Sequence, residues 1–184
     1  MKGRGNKKEK VYWNDYLKDT CLEANGEYTY TGAHYDLKGS KAAAIKALIM
    51  AGGMMLISII GGIMPATGAM DTFYVILPYA TTVALSGFLL YYNLKWVHWG
   101  GVHLRKYVYE KTIPRIPKVS MAVTIAAFLT LVMEIFHLIR YGMGDYPKGA
   151  IVLLICVAVT GVIGIFLFRH VKGLEWLNSN ESEE

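Results

Sequence analysis

Four long apolar runs, separated by polar segments of unequal length, set the pattern of this chain. Each continues for about twenty residues with almost no charge, the length of helix that crosses the hydrocarbon core of a bilayer. We place the spans at about 45–65, 72–94, 119–139 and 149–168. A uniformly greasy soluble core would not cluster its apolar residues in this way. The pattern predicts an all-α integral membrane protein, a four-transmembrane-helix bundle occupying residues 43–168, with no room for a second soluble domain of ordinary size.

The polar segments divide the rest. Residues 1–10 (MKGRGNKKEK) carry five basic side chains against one acidic, and we expect a disordered tail. Each of those bases would add about 1 kcal/mol beside an anionic leaflet, and no folded nucleic-acid reader accompanies them. Residues 11–42 form an interfacial segment. Within it, residues 11–24 read as a short amphipathic helix, with Trp13, Tyr16, Leu17 and Thr20 on one face and Asn14, Asp15, Lys18 and Asp19 opposite. Asn25-Gly26 breaks that helix. The alternation over residues 27–31, followed by Tyr35 and Leu37, predicts two short strands in a hairpin. The loop 95–118 interleaves bases with Trp96, His98, Trp99, His103, Tyr107 and Tyr109, and Pro114 and Pro117 should halt any helix before the third span starts near Val119. The tail 169–184 turns acidic at Glu175, Glu181, Glu183 and Glu184, and we expect it to fray.

Charge changes the picture by giving the spans a direction. Sixteen Lys and Arg residues fall in 1–42, 95–118 and 169–184, against two in the segments joining the first span to the second and the third to the fourth. The positive-inside rule then predicts both termini and the middle loop in the cytoplasm. All four tryptophans, Trp13, Trp96, Trp99 and Trp176, lie in or beside those segments, where an indole can bury its ring and keep its N–H wet. Lys46, one turn inside the edge, can snorkel. With more than forty residues before the first span, a cleaved signal peptide is not expected, and neither end carries a lipidation signal. A bacterial inner membrane is the expected location.

Inside the bilayer the chemistry thins to a few positions. Glu134 and His137, three residues apart, share one face of the third span, with Arg140 a further step along at its edge. A carboxylate in hydrocarbon is costly, so Glu134 should face the bundle interior, a wet cavity or a subunit interface. Two readings compete: a hydrogen-bonded Glu134–His137–Arg140 cluster that only locks helices together, or a site that handles a proton, an ion or a substrate. The Glu-x-x-His spacing is shared with dimetal carboxylate bundles, but no other span supplies a carboxylate. His98 and His170, just beyond the second and fourth spans, could in principle hold a haem, and His98 with His103 a zinc ion; neither arrangement is specific. We expect no cofactor and no metal, and no catalytic signature is present.

Small residues predict close helix packing at Gly52, Gly53, Gly61 and Gly62 in the first span and Gly161 and Gly164 in the fourth. Pro78 should kink the second span or free a carbonyl. The nine methionines read as packing, Cys156 as a small apolar residue, and Cys21 and Cys156 as unpaired. Taken together, the residues suit a small non-enzymatic membrane protein that works by association, as a homo-oligomer or as an accessory subunit of a transport complex. The alternatives are a small transporter or channel using Glu134 and His137, or a haem- or metal-binding membrane protein.

Overall fold

The structure is a computed structural model and describes residues 20–22, 28–30, 32–66 and 72–178. In chain order, β1 (Thr20–Leu22), β2 (Tyr28–Tyr30) and β3 (His34–Leu37) precede α1 (Ala42–Ile63) and α2 (Phe73–His98). Next, β4 (His103–Arg105) and α3 (Lys106–Thr112) lead into α4 (Arg115–Tyr141), and α5 (Pro147–Lys172) is followed by β5 (Trp176–Asn178). The helices α1, α2, α4 and α5 are all long and apolar enough to cross a membrane.

These four form a bundle in which α1 and α4 each pack on both α2 and α5, so α1 lies diagonal to α4 and α2 to α5. The buried positions explain why. On α4 they fall at Ile116, Ser120, Val123, Ala127, Thr130, Glu134 and His137, alternating steps of four and three. On α5 the series Ala150, Leu153, Val157, Thr160, Gly164, Leu167 and Val171 alternates in the same way. That spacing averages 3.5 residues and keeps one seam facing the neighbours along the whole helix, the geometry of left-handed bundles.

Small seam residues let the helices approach. A side chain at Gly149 would strike the carbonyl of Pro65, and one at Gly164 would strike Thr124 Oγ1. At Gly61 a Cβ would sit 3.0 Å from that of Cys156. A Cβ at Gly62 would strike the Tyr79 hydroxyl, whereas one at Gly161 would make an ordinary contact with Ala127 at 3.8 Å and one at Gly53 would meet nothing within 4 Å.

One end of the bundle is capped. The strands β4, β3 and β5 form an antiparallel sheet in that order, with Tyr35 opposite both Leu104 and Asn178. The segment before α1, the link between α2 and α4, and the segment after α5 are therefore held together at one end. Gly100 and Gly101 turn the chain from α2 into β4 with φ of +101° and +78°, a backbone region in which a Cβ is strained. Trp96, fully buried, donates its indole N–H to the carbonyl of Gly101 at 2.8 Å. The ring of Trp176 lies 6.1 Å from Trp96 and 5.1 Å from Tyr109, which stacks on Tyr35 at 4.1 Å.

Several local expectations need correction. Residues 20–22, assigned above to the end of an amphipathic helix, are strand β1; the rest of that helix, Trp13 included, lies outside the described residues, as do the tail 1–10 and residues 179–184. The hairpin pairs β1 with β2, and β3 leaves it to join β4 and β5. Long-range pairing across the bundle end overrode the local alternation. Pro114 and Pro117 do not delay the third helix: α4 begins at Arg115, and Pro117 falls in its first turn, where a missing N–H costs nothing. The C-terminal segment is ordered as β5 over Trp176–Asn178 instead of fraying. Trp96 is a core residue whose N–H is bonded to protein, not to the wet interface.

Candidate functional site

Glu134 occupies a seam position of α4 and is completely buried. Neither of its carboxyl oxygens has a hydrogen-bond partner among the described residues. Leaving a buried polar group unpaired costs free energy, and a carboxyl costs more than a hydroxyl. One turn further along, His137 is also buried, and its Nδ1 lies 3.0 Å from the Tyr74 hydroxyl of α2. Its Nε2 is buried without a partner. The imidazole is flanked by the rings of Tyr74, at 6.2 Å, and Tyr141, at 5.1 Å.

The Glu134–His137–Arg140 cluster does not form as a hydrogen-bonded unit. Arg140 is exposed, and its guanidinium carbon sits 5.5 Å from the centre of the Tyr141 ring. The residue sequence reasoning missed is Tyr74. It starts α2 at the same depth as His137 ends α4, and the antiparallel pairing of two adjacent spans was the signal that could have found it. At 37% exposure, Tyr74 links the buried imidazole to the end of the bundle opposite the sheet.

Several other polar side chains within the bundle are satisfied locally, although Asn93 on α2 leaves its Oδ1 without a partner among the described residues. Ser58 and Thr160 lie 3.4 Å apart across α1 and α5, and Ser120 donates to the carbonyl of Gly164 at 2.7 Å. Thr82, Ser86 and Thr130 donate to the carbonyl four residues earlier on their own helices. Tyr79 donates to the carbonyl of Ser58. Pro78 sits inside α2 without a backbone N–H to offer Tyr74, while its own carbonyl accepts from Thr82 at 2.9 Å.

The remaining histidines are spread around the capped end. His103 bonds Asp36, its direct cross-strand neighbour. His170 Nε2 lies 3.1 Å from the carbonyl of Ala43. His98 is exposed and packs edge-on against Trp99, which is 42% exposed. The haem arrangement pairs His98 and His170 across α2 and α5, which are diagonal helices and not adjacent ones. Among the described residues no three His, Cys, Asp or Glu side chains gather in a way that could hold a metal ion.

No family model, curated protein or solved structure matches this chain.

Proposed function

We propose that this is a small polytopic membrane protein that handles a proton or a small cation at Glu134, with His137 and Tyr74 connecting that carboxyl to the end of the bundle opposite the sheet. The observation that carries the reading is the pair of unpartnered oxygens on a fully buried Glu134. A carboxyl retained at such cost inside a span is a functional candidate by default. His137 can hold a proton on either ring nitrogen, and its Nδ1 already meets the half-exposed Tyr74 hydroxyl. Its Nε2 is the atom left for exchange with Glu134, its neighbour at three residues' spacing.

In this reading the capped end faces the cytoplasm, a choice supported by the excess of Lys and Arg in its segments, and Tyr74 then lies toward the outer face. The test is proton and cation flux into liposomes containing the purified protein. Glu134→Gln, which keeps shape and removes the ionisable group, should abolish the flux, and unchanged flux would remove Glu134 from the mechanism.

A second reading, association with a membrane partner as a homo-oligomer or as an accessory subunit of a transport complex, draws on a different observation. The groove between α4 and α5 has the small residues Thr124, Ala127, Ala158 and Gly161 in its walls, the kind of residue at which transmembrane helices pack against one another. Affinity purification from native membranes in gentle detergent, followed by native mass spectrometry, separates the two: a stoichiometric companion or a homo-oligomer supports the second reading, and recovery of this chain as a monomer supports the first.

A further inference from the structure

A groove of about 700 Å³ runs along the outside of the bundle between α1 and α5. Its α1 wall is Lys46, Ile49, Met50 and Gly53, spaced at i, i+3, i+4 and i+7, and its α5 wall includes Ile163, Phe166 and Arg169. Lys46 and Arg169 are both at the capped end, and both are exposed without an ion-pair partner among the described residues. Below them the walls are apolar, down to Gly53, where a Cβ would meet only open space. The seven-residue step from Lys46 to Gly53 makes the whole groove about 10 Å long, and the volume is within the roughly 300–1,000 Å³ typical of small-molecule sites.

We propose that this groove binds one anionic phospholipid of the adjoining leaflet, its phosphate between Lys46 and Arg169 and an acyl chain against Ile49, Gly53 and Phe166. Charge complementarity selects the occupant. Two cations at one end of an apolar slot, with no acid in its walls, match a phosphodiester followed by a hydrocarbon chain and reject a like-charged surface. A second copy docked symmetrically here would set its own Lys46 and Arg169 against these. The acidic residues 179–184 (SNESEE) could meet the cations but carry no apolar side chain to line the slot. Glu134 is not among the residues that line this groove.

The test is native mass spectrometry of the full chain with added phosphatidylglycerol, phosphatidylcholine or inorganic phosphate. Phosphatidylglycerol should be retained at least fivefold more than phosphatidylcholine, and the double variant Lys46→Gln/Arg169→Gln should abolish that preference. Gly53→Phe, which blocks the chain position and leaves both cations, should lower phosphatidylglycerol retention by a similar factor. Equal retention of the two lipids, or an undiminished preference in the double variant, would overturn the assignment. Displacement of the lipid by inorganic phosphate alone would also overturn it, by reducing the site to a simple anion site.

Discussion

Trp96 and Glu134 are both completely buried in the same bundle, one near each end, yet only Trp96 has its polar atom satisfied. At the capped end the sheet, the Gly100-Gly101 turn and four aromatic rings close over the helices, and the largest polar group buried there bonds the backbone. Thr112, Asn93 and Trp176 do each leave one polar atom unpaired on that side, but all three are neutral groups. At the other end a carboxyl and an imidazole nitrogen are left over. The contrast separates polarity that holds a fold together from polarity that the fold tolerates at a cost. The second kind is where chemistry belongs.

Mutations can break or sharpen that contrast. The largest effect should come from Trp96→Ala, which removes a core indole and its hydrogen bond; a loss of about 3–5 kcal/mol is expected for such a truncation, read as a lower unfolding midpoint in detergent. Glu134→Leu should act in the opposite direction. Replacing an unsatisfied buried acceptor by an apolar side chain of similar size removes a penalty of about 1–3 kcal/mol, so this variant should be as stable as the parent or more so, while flux is lost. A clear destabilisation would mean that Glu134 has a structural partner. Tyr74→Phe deletes one hydrogen bond to His137 and should cost roughly 0.6–1 kcal/mol, with a measurable slowing of flux. Lys38→Ala should change stability by less than about 1 kcal/mol, because the Lys38–Glu175 pair, 3.3 Å apart, is 57% and 74% exposed.

The helical core of this architecture was legible because a bilayer imposes length and apolarity on every span. The seam was legible in principle as well, since its steps of three and four run through Glu134 and His137. Local expectations failed where the deciding contact was distant. Nothing near Tyr35 says that its strand will pair with segments following α2 and α5, and Trp96 looks like an interfacial indole until β4 closes over it. The same holds for the site. Glu134 and His137 stand out by being polar in an apolar run, but the absence of a bond to Arg140 and the arrival of Tyr74 from α2 follow from tertiary packing alone.

The capping sheet also bears on how the protein is made. Its central strand, β3, emerges before any of the four long helices, one of its partners after two of them and the other, β5, after all four. The edge of β3 that β5 covers stays open until the last helix is threaded. A chain in which one helix failed to insert would carry β5 to the opposite side of the membrane, where it could not reach β3. Completion of the sheet thus depends on the number of crossings that precede β5, and a β3 edge left without it is a template for pairing with another chain.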